Sequence, residues 1–139
     1  MSQFNLKALP PIILAFELFL GGSARLGPIP FKKLHEFNLK KSSSIAPQLR
    51  CVTPFRIHGS PQATPESTRW HMRYFGTLMV LAGVLTANPK TRGDVRTMLL
   101  TLFLTGSGVY SQVRCGMMYW LPVLNSGLAG LIWWIENRT

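Results

Sequence analysis

Residues 97–135 read TMLLTLFLTGSGVYSQVRCGMMYWLPVLNSGLAGLIWWI, and between Arg96 and Glu136 they carry a single charge, Arg114. A soluble amphipathic helix would present charges along one face at every turn. A bilayer crossing needs about 20 consecutive apolar residues, with roughly 17 tolerated. The stretch therefore predicts two membrane helices, 97–113 and 115–135, folded back on each other at Arg114, Cys115 and Gly116. Pro122 lies inside the second run. It predicts a kink there, or a Tyr119-Trp120 segment lying along the membrane interface.

Two more runs lie upstream. Residues 74–89 hold no charge between Arg73 and Lys90 and end in the turn Asn88-Pro-Lys-Thr-Arg-Gly-Asp94. Residues 8–24 begin with Pro10 and Pro11, where missing N–H groups cost little. Glu17 is their one charged residue, and Gly21, Gly22 and Ser23 lead to Arg25. A leading apolar run can be a secretory signal. An uncleaved first span is the better reading, because three further runs follow it.

The expectation is an all-α fold: a four-transmembrane-helix bundle with a long basic loop between helices 1 and 2. It forms a single integral-membrane domain over residues 1–139, with spans at about 8–24, 74–89, 97–113 and 115–135 and a polar loop at 25–73. In that loop Phe31, Leu34 and Phe37 recur every three residues beside lysines. They predict a short helix, either lying in the interface or packed on the bundle. Residues 42–67 are rich in Ser and Pro and read as irregular. The runs are short for a bilayer, so flanking Arg and Lys must snorkel or the membrane must be thin.

Composition agrees. Charged residues are 14% of the chain, against about 25% in ordinary soluble domains, and mean hydropathy is +0.17. Net charge is +10, from fifteen Lys and Arg against five Asp and Glu. The cations flank apolar runs, where lipid headgroups would lie. There is no zinc-finger spacing and no basic recognition helix, so the lipid bilayer and not nucleic acid is the expected partner. Two cysteines, Cys51 and Cys115, exclude a disulfide-rich scaffold. His35, His58 and His71 lack metal-ligand spacing, and no metal site is expected. No P-loop, nucleophile elbow or dinucleotide fingerprint occurs.

The candidate site residues are the polar groups inside the runs. Glu17 is the catalytic candidate, because an ionised carboxylate at mid-membrane is costly and must face protein or water, or be protonated. It can carry a proton or anchor a ligand; equally it can make a helix-packing hydrogen bond or pair with Arg25. Thr97, Thr101 and Thr105 recur every four residues, with Gly108 and Gln112 near the same face and Ser107 and Ser111 beside it. That face reads as small-residue packing with hydroxyls bonded to their own turn. The competing reading is the lining of a substrate cavity with Tyr110, Gln112 and Asn125. Gly83 with Ala87 and Ser126 with Gly130 read as packing pairs. Tyr74, Tyr119, Trp120, Trp133 and Trp134 fall near span ends, as an aromatic belt would.

Phe19-Leu-Gly-Gly-Ser-Ala-Arg-Leu26 closes the first run, and Phe75-Gly-Thr-Leu-Met-Val-Leu-Ala-Gly-Val-Leu85 precedes Pro89-Lys-Thr-Arg92. With residues 103–116 and the Leu121-Pro122 step, these resemble the DoxX-like family of small four-helix membrane proteins. The resemblance covers most of the chain outside residues 27–70. The family is named for a subunit of a thiosulfate:quinone oxidoreductase. Its architectural relatives include membrane proteins of metabolite biosynthesis and helpers in membrane-protein folding. The resemblance implies a component of a redox or biosynthetic pathway that handles a hydrophobic small molecule of quinone, polyketide or terpenoid type. A quinone cofactor is implied by the resemblance alone. The alternative is a non-enzymatic subunit or assembly helper for a partner membrane protein. A transporter is disfavoured, because the chain has no internal inverted repeat.

Four crossings would put both termini on one side with five Lys and Arg. The long loop and Arg114 would share the other with ten, counting Arg25. The positive-inside rule then predicts a cytoplasmic loop. Cys51 and Cys115 would share that face and stay reduced there. In a eukaryotic cell the endoplasmic reticulum is the expected membrane.

Overall fold

The computed structural model describes residues 5–28, 31–49 and 65–138. Among them every regular element is helical, so the all-α expectation holds. A 3₁₀ turn, Leu6–Ala8, leads into α1 (Leu9–Leu26). Then come α2 (Lys32–Ile45), which runs on into a 3₁₀ turn at Ala46–Leu49, and α3 (Pro65–Ala87). The chain ends with α4 (Val95–Arg114) and α5 (Trp120–Asn137).

Local chemistry sets several of these ends. Pro10 and Pro11 occupy the first turn of α1, where their missing N–H groups need no intrahelical partner. Asp94 caps α4, accepting at Oδ1 from the Arg96 N–H at 2.8 Å. Gly116 takes φ +67° just past α4, a left-handed conformation that glycine adopts without a Cβ penalty.

Two sequence expectations need correction. Pro122 does not kink a helix. The helix starts at Trp120, so Pro122 sits in the first turn, among N–H positions that lack intrahelical acceptors anyway. α3 begins at Pro65, nine residues before the uncharged run at 74. Its added turns are amphipathic: Thr68, His71, Met72 and Phe75 are buried while Glu66, Arg69 and Arg73 are exposed. Helix formation needs that spacing and not an absence of charge. Of the stretch 42–67 expected to be irregular, residues 42–45 are helical, as are residues 65–67; residues 50–64 lie outside the described residues.

α1, α3, α4 and α5 form a closed ring. α1 packs on α3, α3 on α4, α4 on α5 and α5 back on α1. Successive ring neighbours are antiparallel. The start of α1 therefore lies with the 88–94 turn and the end of α5, and the end of α1 lies with the start of α3 and the end of α4. Arg92 Nε donates to Glu136 Oε1 at 2.7 Å, and Asn137 Nδ2 donates to the Gly93 carbonyl at 2.9 Å, clamping the first of these ends. α2 lies across the opposite end, touching α1 and α3.

The α1–α3 contact is the tightest. A Cβ on Gly22 would stand 2.9 Å from the Gly76 carbonyl oxygen, and one on Gly76 would stand 3.1 Å from the Gly22 carbonyl oxygen. The two backbones thus meet through facing glycines, as close helix crossings in membranes do. Leu14, Leu18, Phe75, Ala82, Leu104, Ala129 and Ile132 fill the core around that crossing.

Among the described residues one helical stretch, Leu6–Leu26, is long and apolar enough to cross a membrane by length and composition. The other ring helices dilute their apolar residues. α3 begins with polar turns, and α4 spends Thr97, Thr101, Thr105, Ser111 and Gln112 on its inward face, all buried.

Candidate functional site

Polar side chains gather at two levels inside the ring. The middle level is built on the inward face of α4. Thr101 Oγ1 donates to the Thr97 carbonyl and Thr105 Oγ1 to the Thr101 carbonyl, both at 2.9 Å. From α5 the Ser126 hydroxyl donates to Thr105 Oγ1 at 2.8 Å, with the Pro122 carbonyl an alternative acceptor at 2.9 Å. The stripe of threonines is therefore mostly self-satisfied, as helix-packing hydroxyls are.

Glu17 and Asn125 belong near this level. Leu14, Thr101 and Ala129 line one small cavity. One turn onward on each helix, away from the clamped end, come Leu18 with Glu17, then Thr105, then Asn125. Glu17 is half-buried, and its Oε2 is covered without a hydrogen-bond partner. Asn125 is buried, and its Oδ1 is likewise unpartnered. A buried acceptor without a donor carries a desolvation penalty of about 1–3 kcal/mol. Two such groups at one level mark a place where a donor would be stabilised.

The second level is a cavity of about 60 Å³ under α2, between the end of α1, the start of α3 and the end of α4. Its polar lining is Arg25, Ser42, His71, Ser107, Ser111 and Gln112, and its apolar lining includes Phe75, Met79 and Leu104. Arg25 reaches it because it lies on the same stripe of α1 as Leu14, Leu18 and Gly21; one guanidinium N–H donates to the Gly21 carbonyl at 2.9 Å. His35 Nδ1 lies 2.7 Å from the Ala24 carbonyl and pins α2 over the opening. Ser111 donates to the Ser107 carbonyl at 2.8 Å.

Gln112 joins α4 to α2. With its amide assigned by hydrogen bonding, the nitrogen donates to the Met118 carbonyl and the oxygen accepts from Lys41 Nζ at 3.1 Å. His71 is only 5% exposed, its ring lies 4.7 Å from that of Phe75 at a 40° tilt, and its Nδ1 is covered and unpartnered. On α2, burial first and then the positive Arg25 lower the pKa of Lys41.

The sequence candidates divide. Gln112 lines the cavity, while Glu17 and Asn125 sit deeper in the ring. Tyr110 points outward from α4, 51% exposed, and does not join them. Arg25, Lys41 and His71 are missed by a search for polar residues within apolar runs, because they flank those runs. Helical spacing from buried positions (Leu18 to Arg25, His71 to Phe75, Lys41 to Ile45) is the signal that finds them. An open groove at Pro65, Glu66, Arg69 and Arg73 is lined from α3 alone and brings no groups together from other helices. No three His, Cys, Asp or Glu side chains among the described residues are grouped to hold a metal. Cys115 is a free thiol, its Sγ 3.3 Å from the Ser44 carbonyl; Cys51 lies outside the described residues.

No family model, no curated protein and no solved structure matches the chain. The resemblance drawn from the span ends therefore rests on residue pattern alone.

Proposed function

We propose that this is a multi-pass integral membrane protein, crossing the bilayer with α1, α3, α4 and α5. In this reading the cavity under α2 receives the polar end of a hydrophobic small molecule, within a redox or biosynthetic pathway. The observation that carries the reading is the polarity of the ring. Its outer faces are apolar, with Phe16, Leu81, Leu99, Val113, Leu124 and Leu131 all exposed. Its inner face holds Thr97, Thr101, Thr105, Ser111, Gln112 and Asn125. Water reverses that order, whereas hydrocarbon favours it. A quinone, polyketide or terpenoid would lie along the apolar outer faces and place its oxygen functions in the cavity.

A second reading, an assembly helper for a partner membrane protein, is favoured by the outer side of α2. There Lys33, Phe37 and Lys40 stand exposed. Membrane fractionation tests what both readings share. The full chain should resist alkaline carbonate and be released by detergent; recovery in the carbonate supernatant would end both. Ser107→Trp, which fills the cavity, separates them. A small molecule extracted from the purified protein should be depleted in that variant. A helper would instead lose its partner on Phe37→Glu and be indifferent to Ser107→Trp.

A further inference from the structure

The cavity under α2 holds positive charge that no acidic side chain lines. Arg25 lines it from α1, and Lys41 of α2, itself just outside the lining, donates to the lining residue Gln112; His71 adds an imidazole from α3. The chain has five acidic residues, and all five lie within the described residues. Glu36 stands beside Lys32 on α2, and Glu136 pairs with Arg92 at the far end of the ring. Asp94 caps α4 at that same far end. Glu66 is exposed in the first turn of α3. Glu17 is eight residues before Arg25, about 12 Å along the helix at 1.5 Å per residue. None lines the cavity.

We propose that this cavity is a receptor for one anionic group, a phosphate or a carboxylate, carried on an amphiphile. The proposal rests on the preceding reading and deepens it by fixing the charge of the ligand's polar end. Three features support it. The polar groups differ in kind and come from three helices: a guanidinium with N–H groups beyond the one given to Gly21, an imidazole whose covered Nδ1 has no partner, and, beside the lining, an ammonium held by Gln112. The size fits, since one buried water needs roughly 10–15 Å³ of such space and this cavity offers about 60 Å³. The opposite wall is apolar, with Phe75, Met79 and Leu104, which suits the first carbons of a chain better than a hydrated ion. Charge-assisted hydrogen bonds to an anion are about twice as strong as neutral ones. The shielding that lowers Lys41 would also strengthen them.

The same chemistry can come from a lipid headgroup or from free phosphate, and the test separates the two. The full chain, purified in neutral detergent, is titrated with inorganic phosphate. It is titrated separately with mixed micelles of phosphatidylcholine and phosphatidic acid, using phosphatidylcholine alone as the neutral reference. Binding is read by native mass spectrometry. Phosphatidic acid is expected to bind. Arg25→Gln and Lys41→Gln should each weaken it by about 10- to 100-fold, the range for losing one hydrogen bond to a charged group. Lys33→Gln, on the exposed side of α2, should leave it unchanged. Lys41 lies at the edge of the ring, so its variant reports even if Arg25→Gln does not fold. Binding of inorganic phosphate alone, with the same dependence on Arg25 and Lys41, upholds the anion site and makes its ligand a free ion. Equal weakening by Lys33→Gln reduces the effect to general basicity and overturns the proposal. Binding of phosphatidylcholine as tight as that of phosphatidic acid also overturns it, while leaving the cavity's role as a small-molecule site intact. Binding of neither overturns it too, and carbonate extraction independently reports whether the membrane reading survives.

Discussion

His71 is buried, and its covered Nδ1 has no hydrogen-bond partner. An unpaired buried polar group costs about 1–3 kcal/mol. His71→Phe should therefore leave the melting temperature in detergent unchanged or raise it; a clear fall would mean that the imidazole is held by a partner. His71 was legible in the sequence only through its helical spacing from Phe75, within amphipathic turns that lie before the uncharged run. Gln112 and Asn125 were legible, because a polar side chain within an apolar run has to face inward wherever lipid lies outside. Tyr110 misled, since a phenol can also sit half-exposed with its ring on the outer face.

Among the elements, the crossing of α1 and α3 makes the sharpest prediction. Gly22→Val and Gly76→Val should each lower stability by at least the roughly 1–3 kcal/mol of ordinary overpacking, because the obstacle is a backbone carbonyl. Gly127→Val is the control, since a Cβ there meets nothing within 4 Å. Melting temperatures that fall together, or not at all, would rule out the close approach. The ends of α1 and α4 and the C-terminal end of α5 were legible to within two residues, from prolines and from charges at the run boundaries; the start of α5 lies five residues beyond the expected 115. α3 was not, because a search for uncharged runs is blind to helical turns with a wet side. α2 was legible as a helix near Phe31, Leu34 and Phe37 but not in its orientation. It turns Asn38, Ser42 and Ile45 to the ring and leaves Phe37 outside. The surface it covers is the polar cavity, so a polar face fits it better than an aromatic one.

The polarity of the whole ring was anticipated by the spacing of Thr97, Thr101 and Thr105, which identified a face unsuited to lipid. If all four ring helices cross, the 88–94 turn and the 50–64 stretch lie on opposite sides. Ten Lys and Arg against five favour a cytoplasmic loop. A glycosylation tag at 88–94 should be modified and one at 50–64 should not. Modification of both would sink the four-crossing reading; the reverse pattern would only invert the protein. In that reading the crossing is also short. Trp120 and Trp134 stand exposed near the two ends of α5, about 21 Å apart at 1.5 Å per residue. Against a hydrocarbon core of about 30 Å, the protein should therefore partition into thinner bilayers. Reconstitution into lipids of increasing chain length, read by thermal stability, should give an optimum below the usual thickness.

The closure of the ring through α5 also sets an order of events during synthesis. Translation delivers α1 and α3 first, and they can join at their glycines before the last helix exists. α4 then arrives with its hydroxyl face turned toward a place that α5 has yet to fill. Until Ser126 reaches Thr105, that face lacks the helix that covers it. Newborn chains are therefore most vulnerable in the interval between the release of Arg114 and the docking of Ile132. A chain stopped after residue 119 should be cleared rapidly in a pulse-chase experiment, and supplying residues 120–139 as a separate peptide should prolong its life.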